Sequence, residues 1–361
     1  MTDIQPDNIF VTGGFGFIGS HLVKSLIKKK EGHIILLDNL TYASNINTLK
    51  DLDKSCYTHL NIDIGDCQDF SDICKKYNPI KIFHLAAESH VDRSIDGPNI
   101  FIKTNVEGTF NILNGVQKYL SESEDKNNFK IIYISTDEVY GDIKKGKSSE
   151  SDILLPNSPY SSSKASSDLL VRAWHKTYGL PVITTRCTNN YGSWQFPEKL
   201  IPLSIGKMLN YNNIPIYGDG SQIRDWIHVQ DHVDALINIS NSSEKLLGEI
   251  YNIGSGNEFS NLDLITKICL IMDEILPNKN GSYLDLISFV EDRPGHDMRY
   301  SLNINKIKNE LGWSPKISFD DGIRDTIQWY IANFSTYLSN KEGIYDGSRI
   351  GTLGKNKWEF Y

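Results

Sequence analysis

The run Asn8–Thr12 (NIFVT), followed directly by Gly13-Gly14-Phe15-Gly16-Phe17-Ile18-Gly19, constrains the fold more than any other stretch of the chain. Five mostly apolar residues between polar flanks read as a buried strand. Beyond the glycines, Ile18, Leu22, Leu26 and Ile27 recur at helical spacing, with Lys24, Lys28, Lys29 and Lys30 mostly off that face. Glycines at the turn from strand to helix let the backbone come close to a pyrophosphate and aim the free N–H groups of the helix at it. The spacing is GxxGxxG rather than GxGxxG, and the glycines alone would fit any tight turn. Their place between strand and helix is what points to a dinucleotide.

The rest of the first half alternates in the same way. His33–Leu37 (HIILL) reads as a second strand and ends at Asp38, 19 residues past Gly19. An acidic residue there binds the hydroxyls of an adenosine ribose. Asn39-Leu40-Thr41 offers no cation for a 2′-phosphate, so NAD is expected rather than NADP. Strands are expected at 57–62, 81–87, 129–135 and 181–186, and helices at 67–77, 99–120 and 160–178. Asp63 and Ile64 would edge the adenine, and Leu85 with the small Ala86 and Ala87 would lie along the cofactor. This order gives an α/β fold, a doubly wound parallel sheet (Rossmann) with a smaller C-terminal substrate-binding lobe. A helix at 231–239 and a strand at 249–253 are expected to rejoin the first domain. That domain is 1–186 plus about 226–256, and the lobe about 187–225 plus 257–335. A polar patch at 121–128 reads as a surface loop. The segment 336–361, with its late Trp358, Phe360 and Tyr361, has no assigned role.

Composition excludes several classes. The 361 residues carry 37 Lys+Arg against 45 Asp+Glu, a net charge of −8, with no long basic run, so no nucleic-acid partner is expected. The five cysteines form no CxxC pair, which argues against zinc or a disulfide framework and for free thiols in a reducing compartment. No metal is expected. No apolar run reaches membrane-spanning length. The opening MTDIQPDN has no signal-peptide pattern, so a cytoplasmic protein without a membrane partner is expected.

Chemistry concentrates where the fifth strand runs out, at Ser135-Thr136-Asp137-Glu138. Two carboxylates in a sheltered cleft repel, so one pKa rises and the pair becomes an acid beside a base. Alone, such a pair would read as a solvated loop. Tyr160 and Lys164 follow as YxxxK, one helical turn apart, so the ammonium is expected to favour phenolate and lower the Tyr160 pKa. A phenolate beside a nicotinamide is a base for a sugar hydroxyl. YxxxK is common by chance and gains weight here only from the glycine loop, Asp38 and the carboxylate pair.

The glycine loop, Asp38 and YxxxK together resemble the extended short-chain dehydrogenase/reductases. Within these, Ser135-Thr136-Asp137-Glu138-Val139-Tyr140-Gly141 is similar to the nucleotide-sugar 4,6-dehydratases. Further similarity lies in Ser89-His90-Val91-Asp92-Arg93-Ser94, Asn189-Asn190-Tyr191-Gly192, the stretch 195–202, Gln222-Ile223-Arg224-Asp225-Trp226 and Arg293-Pro294-Gly295-His296-Asp297. Phe15 stands where the family usually has Ala and Ser193 where it has Pro, and Phe15 is expected to change how tightly the loop hugs the pyrophosphate.

The resemblance implies an NAD-dependent lyase. Tyr160 would take the C4 hydroxyl proton, Thr136 would bond the same oxygen, Glu138 would remove the C5 proton and Asp137 would protonate the departing C6 hydroxyl. Besides the glycines Gly13, Gly16 and Gly19, the residues Phe15, Phe17, Ile18, Asp38, Asn39, Asp63, Ile64, Leu85, Ala86, Ala87, Tyr160 and Lys164 would hold NAD. Ser89, Thr136, Asn190, Lys199, Arg224, Arg293 and His296 would meet the substrate, dTDP-glucose or UDP-glucose, on a route to rhamnose or another deoxysugar. The long helices at 99–120 and 160–178 resemble the pair that forms a homodimer in this family. A 4-epimerase and a non-catalytic NAD-binding regulator are the alternatives. The pair Asp137 and Glu138 argues against the epimerase, and the intact Tyr160 and Lys164 argue against the regulator.

Overall fold

In β1 (Asn8–Thr12), Ile9 and Val11 enter one hydrophobic layer and Phe10 the opposite one, all fully buried. β2 (His33–Leu37) repeats this, with Ile34 and Leu36 on the first side and Ile35 and Leu37 on the second. Strands buried on both faces belong inside a parallel sheet covered by helices. The structure, a computed structural model, describes residues 7–123, 129–279, 281–339 and 350–351.

α1 (Phe17–Lys29) joins β1 to β2. There follow β3 (Tyr57–Leu60), α2 (Phe70–Tyr77), β4 (Pro79–His84), α3 (Val91–Asp96) and α4 (Pro98–Phe101). α4 runs through a π turn (Ile102–Glu107) into α5 (Gly108–Glu122). Next come β5 (Lys130–Thr136), α6 (Pro159–Tyr178) and β6 (Val182–Cys187). The second part holds β7 (Asn189–Tyr191), α7 (Leu200–Leu209), β8 (Ile214–Tyr217), β9 (Ile223–His228), α8 (Val229–Ser240), β10 (Ile250–Ile253), β11 (Glu258–Ser260), α9 (Asn261–Ile275), β12 (Ile287–Val290), α10 (Asn305–Leu311) and α11 (Phe319–Ser339).

Seven strands form one parallel sheet in the order β3-β2-β1-β4-β5-β6-β10. The order reverses between β1 and β4, and ligands bind outside the strand ends at such a switch point. Thr12 pins that point. Its Oγ1 lies 2.9 Å from His84 Nδ1 and accepts from the N–H groups of Leu85 (3.1 Å) and Ala86 (3.0 Å). These bonds turn the chain out of the sheet after His84, so β4 is shorter than the 81–87 expected. α2 starts at Phe70 rather than 67 because a 3-10 turn, Ile64–Asp66, capped by Asp63, comes first.

α7, α9 and α11 share a separate core with β8, including Ile205, Ile268, Ile327 and Ile216. β7, β9 and β11 form one small sheet and β8 with β12 another. α11 runs to Ser339, past the 335 boundary expected for the lobe. Gly351 then reaches α3, where its N–H donates to Asp96 Oδ2 at 2.6 Å. A Cβ on Gly351 would come 2.6 Å from that of Asp92. Trp358, Phe360, Tyr361 and most of the 121–128 patch lie outside the described residues. No helix among the described residues is long and apolar enough to cross a membrane.

Candidate active site

A cavity of about 320 Å³ lies along the carboxyl ends of the central strands. One end is built by the glycine loop. Gly13 has φ +69°, and a Cβ there would sit 2.9 Å from the Ala86 backbone; one on Gly19 would sit 2.1 Å from the Gly13 carbonyl oxygen. α1 begins at Gly16 with no side-chain cap and no acidic residue in its first turn, which leaves its N–H groups suited to an anion. Gly13, Gly16, Phe17, Ile18 and Gly19 line the cavity. Gly19→Ala is expected to lose dinucleotide binding and to destabilise the fold by about 1–3 kcal/mol through overpacking, read by a binding titration and a thermal melt.

Phe15 departs from expectation. Its ring is 4 % exposed, sits edge-on to His59 at 5.0 Å, and is not part of the cavity lining. Its N–H instead donates to Asp38 Oδ2 at 2.9 Å. The other carboxylate oxygen of Asp38 accepts from Leu40 N–H and Ser44 Oγ, both at 2.8 Å. Phe15 therefore fixes the acidic residue rather than the pyrophosphate contact. Asn39 donates to Asp63 at 3.1 Å, and both line the cavity with Asp38, Ile64, Leu85, Ala86 and Ala87. An uncapped helix start, glycines with no room for a side chain and a fixed carboxylate fit a dinucleotide.

The other end gathers the reactive groups. Thr136 closes β5, and its Oγ1 donates to Asp137 Oδ1 at 3.2 Å. The second oxygen of Asp137 is buried without a partner. Burial, then the Glu138 charge, push the Asp137 pKa well above its ordinary value, which favours the protonated acid. Burial also raises Glu138, but Arg293, Arg224 and Lys199 pull it back. Both carboxyls thus shift upward, and the cations act against the shift of Glu138.

The expectation of a lowered Tyr160 pKa is overturned. Burial, then the nearby Glu138, push the phenol well above its ordinary value, with only Thr136 bonding it the other way. Lys164 does not stand as a counter-charge on the phenol. Its Nζ donates to the Ile134 carbonyl at 2.8 Å and lies over the Tyr133 ring at 4.6 Å. Burial takes its own pKa from 10.5 to about 8. Below pH 8 both folded and unfolded chains are protonated, and the fold bears the full cost of burying this charge. The cost fades as pH rises from 8 to 10.5. Lys164→Met should therefore raise stability at neutral pH by up to about 3 kcal/mol, less the lost bond to Ile134. The gain should shrink in melts above pH 8.

Ser89, Asn190 and Lys199 line the cavity, and Lys199 Nζ donates to the Ser89 carbonyl at 2.7 Å. The Asn190 amide is engaged by the Thr188 carbonyl (3.0 Å) and His232 (2.9 Å). Arg224, Arg293 and His296 are not part of the lining. Arg224 lies over the Tyr300 ring at 4.3 Å and donates to the Asp297 carbonyl at 2.8 Å. The Arg293 guanidinium pairs with Asp92 at 3.0 Å, its backbone N–H donates to Asp292 at 2.7 Å, and its Nε is buried without a partner. His296 donates to Asp292 at 2.7 Å, and burial takes its pKa down to about 4, so it brings no charge at neutral pH.

Sequence reasoning missed Asn105, which sits in the π turn. Its side chain pairs with both backbone groups of Glu88, at 2.8 and 3.0 Å, and donates to Ser163 Oγ at 2.8 Å. It thereby ties the loop after β4 to α6, the helix that carries Tyr160 and Lys164.

The family model described as GDP-mannose 4,6 dehydratase matches residues 10–326. A dTDP-glucose 4,6-dehydratase from Salmonella typhimurium is 49% identical over 350 residues, which cover 93% of this chain and 96% of that one. One from Neisseria meningitidis is 46% identical, covering 95% and 99%. Among solved structures, a dTDP-glucose 4,6-dehydratase from Streptomyces venezuelae with NAD bound has a TM-score of 0.82 and 41% identity, covering 91% and 98%. A UDP-glucose 4-epimerase from Thermotoga maritima has a TM-score of 0.79 and 29% identity, covering 91% and 99%. Since the family match runs from β1 into α11 and takes in the loop, both carboxylates, the phenol and the ammonium, this chain belongs to the GDP-mannose 4,6 dehydratase family.

Proposed function

We infer that this protein converts dTDP-glucose to its 4-keto-6-deoxy sugar nucleotide and water, with NAD as internal hydride carrier. The observation that carries this reading is Asp137. It is a buried carboxyl with one oxygen unpartnered, in surroundings that favour its protonated form, next to Glu138 in the same cavity. An acid and a base one residue apart suit an elimination. A 4-epimerase or a protein that only binds NAD has no use for the pair. Similarity to dTDP-glucose 4,6-dehydratases, including ones solved with NAD, supports the same substrate and cofactor.

NAD, which the glycine loop, Asp38 and the cavity floor at Ala86 and Ala87 would hold, would supply a hydride acceptor and donor and, in its oxidised form, a positive charge. Tyr160 receives the C4 hydroxyl proton while Thr136 bonds that oxygen. The resulting ketone acidifies the C5 hydrogen, which Glu138 removes. Asp137 gives its proton to the C6 hydroxyl, which departs as water. Glu138 then returns a proton to C5, the proton taken by Tyr160 passes to solvent and Asp137 regains one from solvent, so the groups are reset and no net oxidation remains. Arg224 and Arg293 suit the diphosphate, since a guanidinium meets phosphate oxygens two at a time.

A division into a dinucleotide domain and a lobe is supported by the separate core of α7, α9 and α11, although Ile307 and Trp313, inside the range given to the lobe, pack in the core under β1 and β10. A homodimer through α5 and α6 is supported by the exposed Phe110, Leu169 and Tyr178 on those helices. A reducing cytoplasm fits five unpaired cysteines. Mass spectrometry after incubation with dTDP-glucose or UDP-glucose, with no NAD added, tests the reading. Loss of one water, faster from dTDP-glucose, is expected. No loss from either, even with NAD supplied, would overturn it.

A further inference from the structure

Tyr42 lies between Thr41 and Ala43, which line the cavity beside Asp38, and its side chain reaches across to the lobe, where Phe196 and Glu198 line the same cavity. Its hydroxyl lies 3.3 Å from Glu88 Oε2 and 3.4 Å from Glu198 Oε1. The Arg93 guanidinium covers its ring at 4.1 Å, and Phe196 meets it edge-on at 5.4 Å. Arg93 Nε donates to Glu198 Oε2 at 2.7 Å, where the Glu198 side chain is only 2% exposed. Three segments that share no strand pairing thus meet at one point: the loop after β2, the loop and helix after β4, and the lobe segment before α7.

The lobe segment is held from behind as well. Tyr330 on α11 donates to the Gln195 carbonyl at 2.6 Å and Tyr337 to the Trp194 carbonyl at 3.3 Å. The segment is therefore anchored to the lobe, and the Tyr42 cluster joins it to the dinucleotide side together with Lys199 Nζ on the Ser89 carbonyl and His21 against the Ser193 carbonyl.

We propose that Tyr42, Arg93 and Glu198 form a latch that keeps the dinucleotide in the cleft between and during turnovers. The proposal rests on the reading of this protein as an NAD-carrying dehydratase. In that reaction the hydride leaves and returns to one sugar, so a reduced cofactor that escaped midway would strand an unsaturated ketone. A tie from the loop beside Asp38 to the lobe blocks that escape without touching the reacting atoms. Tyr42 and Arg93 are positioning residues in this scheme.

The test is the release rate of NAD from purified protein, followed by displacement with excess 1,N6-etheno-NAD. Tyr42→Phe keeps the ring and removes the hydroxyl bonds, and is expected to speed release about ten-fold, the scale of one lost hydrogen-bonded contact. Glu198→Gln is expected to do so more strongly. The double variant should show less than the product of the two, because both break one cluster. A purely structural role would lower the melting temperature and leave the release rate unchanged, and that result overturns the latch. So would a raised KM for the sugar nucleotide with NAD release as in the wild type. If the wild-type protein binds no NAD at all, the reading of its function fails first and the latch with it.

Discussion

Asp137→Asn is expected to oxidise dTDP-glucose at C4 and then stall. The amide keeps the size of the carboxyl and a hydrogen bond to Thr136, but it has no proton to give to a departing hydroxyl. Loss of a positioned general acid costs about 10²–10⁴-fold. In a single turnover, the absorbance of reduced nicotinamide should therefore rise and persist, while the product lighter by one water forms slowly. The substitution should not unfold the protein. Burial favours the protonated form of Asp137 in the fold, whereas an unfolded chain loses that proton above the ordinary carboxylate range. The native carboxyl thus lowers stability as pH rises through the interval between its unfolded and folded values. Asn removes that cost, so its melting temperature at neutral pH should match or exceed that of the wild type. Normal turnover by Asp137→Asn would show that the acid lies elsewhere.

Tyr160→Phe should fail earlier. With no phenol oxygen to take the C4 proton, no reduced nicotinamide should accumulate and no water should be lost, a decrease of about 10²–10⁴-fold or more in the first step. The two variants are therefore separated by one optical signal, present in the first and missing in the second. The helix itself should survive. Its start is fixed by a reciprocal bond pair between Ser158 and Ser161 and by Ser94 Oγ on the Tyr160 N–H, none of which involves the phenol. A pH profile adds a second check. Burial and Glu138 raise the phenol pKa, so the wild-type oxidation step should quicken as pH climbs toward that value, whereas the residual rate of the Phe variant should be flat.

What the sequence made legible was whatever depends on periodicity and on local spacing. β1, the glycine loop and α1 announce themselves within two dozen residues, because a buried strand, a close backbone approach and an amphipathic helix each leave a pattern. Asp38, Asp137, Glu138 and the Tyr160–Lys164 pair stand at strand ends or one helical turn apart, which are local relations too. Long-range relations left no such trace. That Arg293 pairs with Asp92, 201 positions away, is a matter of how the lobe closes. The Tyr42 cluster joins three segments for the same reason. The π turn at Asn105 has no composition cue, since its residues read as ordinary helix. The sign of the Tyr160 shift comes from burial and then from the Glu138 charge, and burial is set by the whole fold rather than by YxxxK.

Internal return of the hydride is the core of the scheme, and a label can follow it. dTDP-glucose carrying deuterium at C4 would be converted by the purified protein with only its retained NAD, and the product read by NMR and mass spectrometry. The expected result is one deuterium per product, moved from C4 to C6, with none released to solvent or to free dinucleotide. Product with hydrogen at C6 and the deuterium lost would contradict a carrier that stays in the cleft from oxidation to reduction.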